Sequence, residues 1–269
     1  MEKVVFADSW RPVFADLGLK SFDDFFSYRG AETIGKNNKR DVSILTFGDG
    51  PEHNVFFMKR FHNPHFKDML FTIRNFGQLC SQAVCEWRNA NLLLEIGIKT
   101  YRPVSYGEQT KLGLEKKSFF LTEKIQGQCL TDFVARKWLR LAQSQKEKII
   151  ASLARLIRRV HEAGISLPDL YVWHIFVGET ALSDGTCEYE FAIIDLHRMA
   201  HNVTDKNQQI RNLGRLDHSM SDKYFDEKMR RLLIESYAGE DWPGSIAKLA
   251  DKVKKYSNAI SSRRRRKQY

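Results

Sequence analysis

The chain has 269 residues, enough for one large domain or two small lobes around a real core. At 42% hydrophobic and 28% charged, with only 16 Gly and 6 Pro, it cannot be a disordered or collagen-like polymer. A net charge of +10, half of it in the single run Arg263-Arg264-Arg265-Arg266-Lys267, favours anionic partners: a phospholipid surface, a phosphorylated glycolipid or nucleic acid.

In chain order, residues 1–28 predict a short helical extension, with Ser21 as the cap before Phe22-Asp23-Asp24-Phe25-Phe26. Two strands follow, Val42 to Phe47 and Val55 to Phe61, divided by the turn signal Gly48-Asp49-Gly50-Pro51. Residues 62–80 read as irregular, aromatic and basic, and a helix runs from about Gln82 to Glu95, stopped by Gly97. Further strands are expected at Pro103 to Gly107 and Ser118 to Glu123, with a connector over Glu123 to Thr131. The second half changes character. Ile149, Leu153, Leu156, Ile157 and Val160 share one face of a helix over Lys148 to Ala163. Short strands at Ile175 to Val177 and Phe191 to Ile194 flank a polar hairpin with Asp184-Gly185. After Asp195 the chain reads as helical.

The opening Met1-Glu2-Lys3-Val4-Val5-Phe6-Ala7-Asp8 lacks a basic region followed by an apolar one, so no secretory signal is read there. No window approaches the ~18 apolar residues of a spanning helix. Cys80, Cys85, Cys129 and Cys187 form no C-x-x-C pair and no zinc framework, which suits reduced thiols in a cytoplasm.

Five positions fit phosphoryl transfer, which needs a cation on phosphates, an anchor for it, metal ligands, and a group that orients the acceptor hydroxyl. Lys59 alternates with Phe57 and Val55 on one strand face. Taken alone, a lysine at a solvated strand end is the simpler reading. Glu86 lies among apolar neighbours of the first-half helix and could turn inward to Lys59; alone, an exposed helical glutamate is the simpler reading. Asp169 and His174 flank the loop after the amphipathic helix, in Leu167-Pro168-Asp169-Leu170-Tyr171-Val172-Trp173-His174. A turn aspartate with a satisfied core histidine competes there. Asp195 ends the apolar run Phe191-Ala192-Ile193-Ile194; a carboxylate so placed suits magnesium, which prefers hard oxygen donors.

The order Lys59, Glu86, Asp169-x4-His174, Asp195 resembles the protein-kinase-like fold. Three segments, Glu86-Trp87, Asp169-Leu170-Tyr171-Val172-Trp173-His174 and Ile194-Asp195-Leu196-His197-Arg198, resemble more closely the lipopolysaccharide core heptose kinases of the WaaP type. The basic, Tyr-ending tail is similar too. The resemblance covers roughly residues 30–269 and implies an α+β bilobal fold. Its parts would be a helical extension over 1–28, a β-rich nucleotide-binding N-lobe with one αC-type helix over 29–125, a mainly helical C-lobe over 126–262 carrying the catalytic loop and metal site, and a basic tail over 263–269. It also implies roles. Lys59 would contact the α- and β-phosphates of ATP and pair with Glu86. Asp169 would orient the attacking hydroxyl. Asp195 would hold Mg2+, with His174 helping metal or loop geometry. Glu123 and Ile125 would bond adenine through their backbone, with Thr122 behind.

Two departures stand out. Leu167-Pro168 replaces the His-Arg pair expected before Asp169, and Arg29-Gly30-Ala31-Glu32-Thr33-Ile34-Gly35 carries two glycines but no G-x-G-x-x-G.

The implied activity is ATP-dependent phosphorylation of an inner-core heptose at the cytoplasmic face of the inner membrane. The glycolipid acceptor and the anionic membrane surface are the expected partners, and nucleic acid is not, since no nucleic-acid-binding motif occurs. A kinase acting on another core sugar or on protein is the nearest alternative, and a non-catalytic kinase-like scaffold the next. The aromatic and basic stretch Phe61 to Cys80 suits lipid or sugar-phosphate contact and loop packing equally. His62-Asn63-Pro64-His65 reads as no metal site.

Overall fold

The computed structural model describes residues 1–269 except 8, 49–53, 63, 65, 184–186, 264–266 and 268, and it leaves out the side chains of 66–68. The chain divides into two compact units, Met1–Ile125 and Gln126–Tyr269.

The first unit is built on six strands: β1 (Glu2–Phe6), β2 (Glu32–Lys36), β3 (Arg40–Phe47), β4 (Asn54–Phe61), β5 (Pro103–Lys111) and β6 (Leu114–Glu123). They form one sheet in the order β1-β5-β6-β4-β3-β2, with every pairing antiparallel. The expected hairpin turn between β3 and β4 falls partly on residues 49–53, outside the described ones.

Alternation along β4 sends Phe56 and Met58 into the core while Phe57 and Lys59 are only partly buried. The face bearing Phe56 and Met58 is covered by the opening of the chain. Helices α1 (Arg11–Asp16) and α2 (Phe22–Phe26) bring Phe14, Leu19, Phe22 and Phe25 into one cluster with Leu45, Phe56, Met58, Val104, Phe119 and Leu121. Phe25 stacks on Phe119 at 4.8 Å. The Phe119 ring in turn needs Gly107: a Cβ there would lie 2.2 Å from it. Ser21 does cap α2, in a reciprocal capping box with Asp24.

The opening segment is thus more than the helical extension expected. Its first residues form β1, which pairs with β5 in the register Val4↔Gly107. The short apolar run Val4-Val5-Phe6 carries that strand, and pairing over a separation of about a hundred residues is invisible locally. The stretch read as irregular holds a helix, α3 (Phe66–Phe76), with Met69 and Thr72 buried and Leu70 and Ile73 exposed. Its Met69-Ile73-Phe76 spacing is helical, although the aromatic and basic composition masked it. The glycine-poor stretch 29–35 runs into the exposed edge strand β2. The turn that follows is closed instead by Asn37, whose side chain accepts from the Lys39 and Arg40 amides. On the neighbouring strands Asp41 gathers Arg60 and His62, the latter at 2.5 Å. His62 is therefore a partner of a structural carboxylate.

The second unit opens on β7 (Gln128–Cys129), β8 (Ile175–Ala181) and β9 (Cys187–Ile193), a small sheet in the order β7-β8-β9. The expected Asp184-Gly185 hairpin lies outside the described residues. Around it stand α5 (Leu130–Lys137), α6 (Gln143–Glu162), α7 (Lys206–Ser219), α8 (Glu227–Ala238) and α9 (Ile246–Ser261). On α6 the residues Ile149, Leu153, Leu156, Ile157 and Val160 are all buried. Among the described residues, no helix is long and apolar enough to cross a membrane.

Candidate active site

In the first unit the helix α4 (Gln82–Glu95), capped by Ser81, presents Glu86 to β4. Lys59 Nζ donates to both carboxylate oxygens at 2.9 Å. Tyr101, just before β5, donates its hydroxyl to Oε2 at 2.5 Å. Glu86 is fully buried and Lys59 retains 17% side-chain exposure. A buried carboxylate survives only when paired and hydrogen-bonded, and this one is met from two sides. These three hydrogen bonds fix where the ammonium stands, while the residual exposure leaves Lys59 a path to solvent.

On β6, Thr122 is buried and its hydroxyl donates to the Phe57 carbonyl at 3.4 Å. The Glu123 amide is spent on the Arg102 carbonyl at 3.0 Å. Glu123 can therefore offer a ligand only its carbonyl. Ile125, the last residue of the unit, is half-buried.

In the second unit Asp169, His174 and Asp195 come together. Asp169 sits in a tight turn after α6, and a 3-10 turn, Val172–His174, leads into β8. His174 Nδ1 lies 2.8 Å from the Asp169 carbonyl. A carbonyl only accepts, so Nδ1 carries the proton and the ring ties both ends of the loop. Its Nε2 lies 3.5 Å from Asp195 Oδ2. Asp195 follows β9 in the left-handed region, φ 63°, a conformation that costs a non-glycine residue about 1–2 kcal/mol. Its Oδ1 meets His197 Nδ1 at 3.2 Å.

Asp169 has an uneven environment. Oδ1 accepts from Arg198 at 3.1 Å, whereas Oδ2 is buried with no hydrogen-bond partner among the described residues. Leaving such an atom unmet costs about 1–3 kcal/mol.

The loop is held where His-Arg was expected. Asn212 Oδ1 on α7 accepts from the Leu167 amide at 2.7 Å, Ser166 Oγ at 3.1 Å and His161 Nε2 at 3.2 Å. His161 Nδ1 meets the Tyr237 hydroxyl at 2.8 Å. Burial drives the His161 pKa down to about 4, against a partial rise from the Asn212 bond. The histidine is therefore neutral, and a neutral network replaces a charged pair.

Tyr101, Arg198 and Asn212 are the site residues that sequence reasoning missed. Arg198 stands three residues beyond Asp195, in a segment the sequence does single out, yet its partner lies 29 residues back.

As to a metal, the second unit offers the hard carboxylate oxygens of Asp195, with the imidazoles of His174 and His197 beside them. His174 Nε2 lies 3.5 Å from Asp195 Oδ2. A divalent cation that favours one or two carboxylates and phosphate oxygens fits this set.

A lysine–glutamate pair in an antiparallel sheet unit, and a loop aspartate beside a strand-end aspartate in a helical unit, define a kinase of the α+β class. The profile of the lipopolysaccharide kinase (Kdo/WaaP) family matches residues 36–237, and the chain belongs to that family. It is thus a phosphotransferase to a sugar hydroxyl that uses ATP. A lipopolysaccharide core heptose(I) kinase WaaP of Pseudomonas aeruginosa is 24% identical over 192 residues, 65% of this chain and 71% of that one. An Escherichia coli protein of the same name is 26% identical over 198 residues, 73% and 70% of the two chains. One from Escherichia coli K12 is 25% identical over 145 residues, 53% and 54%. The fold matches a solved structure described as WaaP in complex with acyl carrier protein, with a TM-score of 0.67, 19% identity and coverage of 94% of this chain and 99% of that one.

Proposed function

We propose that the chain transfers the γ-phosphoryl group of ATP, with Mg2+, to a hydroxyl of an inner-core lipopolysaccharide heptose. The observation that carries the reading is the buried Oδ2 of Asp169, which has no hydrogen-bond partner among the described residues. An acceptor hydroxyl is the donor this oxygen lacks, and accepting its hydrogen bond would aim the sugar oxygen at phosphorus. Arg198 on Oδ1 keeps the carboxylate from turning.

In this reading Lys59, steered by Glu86 and Tyr101, contacts the α- and β-phosphates. Asp195 holds Mg2+, which when bound neutralises phosphate charge, and His174 sets the loop so that the two aspartates keep their spacing. The Glu123 carbonyl and the Ile125 amide read adenine, with Thr122 behind. Catalysis by these groups is positioning and charge stabilisation.

The named relatives support heptose over another core sugar or a protein acceptor. An acceptor held at a membrane implies work at the cytoplasmic face of the inner membrane, where the Arg263–Lys267 run would meet anionic lipid at about 1 kcal/mol per basic residue. The acyl carrier protein seen with the structural neighbour is proposed as a partner here as well, to be checked by co-purification.

The test is phosphate transfer from γ-labelled ATP to under-phosphorylated core lipopolysaccharide and to a generic protein, with Asp169→Asn as control. Label on the core that disappears in the variant, with nucleotide binding intact, is the expected result. Transfer by Asp169→Asn at the wild-type rate would overturn the assignment, and label on protein alone would move the acceptor to the second reading.

A further inference from the structure

Lys267 lies against the loop that carries Asp169 and His174, and Tyr269 lies against the end of the helix that backs it. Tyr269 donates its hydroxyl to the Ser219 carbonyl at 3.2 Å and accepts from the Ser221 amide at the same distance. Its ring stacks on Tyr224, with centroids 6.0 Å apart and planes 19° from parallel. Ser219 is the last residue of α7, where helix carbonyls run out of partners. Arg230 satisfies the neighbouring carbonyls of Asp217 and Met220, and the phenol takes Ser219.

The Ser219 side chain continues the connection. Its hydroxyl donates to the Leu216 carbonyl at 2.7 Å and accepts from the Val172 amide at 3.0 Å. Val172 begins the 3-10 turn that ends on His174. A second contact reaches the same turn: Lys267 Nζ stands 4.4 Å from the Trp173 ring centroid, and Trp173 stacks on Tyr171 at 4.8 Å. The preceding helix α9 is pinned beside the end of α7 by Ser261 Oγ against His218 Nδ1 at 2.9 Å. Burial pushes the Tyr269 phenol up to about 12, so the donor keeps its proton.

We propose that Lys267 and Tyr269 form a strap that positions the loop bearing Asp169 and His174, acting through Ser219 and Trp173. Both are positioning residues: neither touches the carboxylates. Asn212 anchors the loop at Leu167 and Ser219, braced by the strap, anchors it at Val172, from two positions seven residues apart on α7. The role in turnover rests on the kinase reading of that loop, whereas the contact chain does not.

The experiment compares the full chain with Tyr269→Phe, which keeps the ring and loses the hydroxyl. It reads amide hydrogen exchange and steady-state kinetics. Exchange at Val172 should speed up while Leu167 stays as in the wild type. The kcat should fall about three- to tenfold, as for one lost hydrogen bond, with the KM for ATP unchanged. Lys267→Ala should lower kcat in the same direction, and Lys267→Arg, which keeps a cation over the indole, should restore it. Wild-type exchange at Val172 in Tyr269→Phe would overturn the contact chain. Faster exchange with wild-type kcat would overturn the positioning role. If the wild-type chain itself transfers no phosphate, the proposed function fails, and exchange at Val172 alone decides the strap.

Discussion

Acidification should loosen the second unit through one residue, His161. In the fold its ring is almost wholly buried and its pKa is lowered from 6.5 to about 4. The unfolded chain therefore takes up a proton as pH drops through 6.5, and the folded chain does so only near 4. Stability is complete above the upper value and is lost as pH falls toward the lower one, with a full loss of about 3 kcal/mol. At about pH 5 the loss is about 2 kcal/mol relative to neutrality. Urea midpoints followed by tryptophan fluorescence near pH 7 and pH 5 measure it. His161→Gln keeps a donor for Asn212 and an acceptor for Tyr237 but does not titrate. Its drop between the two pH values should be smaller by about 2 kcal/mol. His201, whose pKa is also lowered by burial, is present in both proteins and cancels in the difference. An equal drop in wild type and His161→Gln would refute the reasoning, because it would mean that the ring is not buried neutral against Asn212.

Other perturbations have equally definite outcomes. Asp195→Ala should lose metal-dependent nucleotide binding while keeping the fold, measurable by calorimetric titration with and without Mg2+; binding that stays metal-dependent would remove Asp195 from the metal site. Tyr101→Phe deletes a hydrogen bond to the Glu86 carboxylate worth about 1–2 kcal/mol; the KM for ATP should rise several-fold with little change in the acceptor KM. Phe25→Ala empties a fully buried site stacked on Phe119 and should cost about 3–5 kcal/mol, read as a lower denaturation midpoint; a cost under 1 kcal/mol would mean that the opening helices are not part of the core.

Much of the candidate site was readable because its residues lie close together in the sequence. Asp169 and His174 are five residues apart in one loop, and Asp195 ends an apolar strand, so spacing and strand periodicity pointed to both. Lys59 and Glu86 were separable from ordinary surface charges only in combination, since each alone fits a solvated position. What was not readable depends on distance along the chain. Tyr101 meets Glu86 from the loop after α4, 15 residues on, Arg198 returns to Asp169, and Asn212 reaches back 45 residues to Leu167. Nothing in the neighbours of Tyr101 and Asn212 marks them, and the Ile194–Arg198 segment does not reveal that Arg198 returns to Asp169. The fold shows the same division. The α6 face and the Ser21 cap follow from short-range rules, while β1 exists only because β5 offers an edge. The helix α3 had a legible period that its basic and aromatic composition concealed.

The pairing of β1 with β5 also has a consequence for synthesis. Glu2 lies opposite Gln109, so the first strand made cannot find its place until the fifth has left the ribosome. At about 5–20 residues per second that is a delay on the order of ten seconds. During that interval Val4, Val5 and Phe6, with Phe14, Phe22 and Phe25 behind them, emerge without the sheet they later cover. The nascent chain therefore passes through a stage in which its most aromatic segment is bare, and cotranslational chaperone occupancy should peak there and fall once residue 123 has emerged.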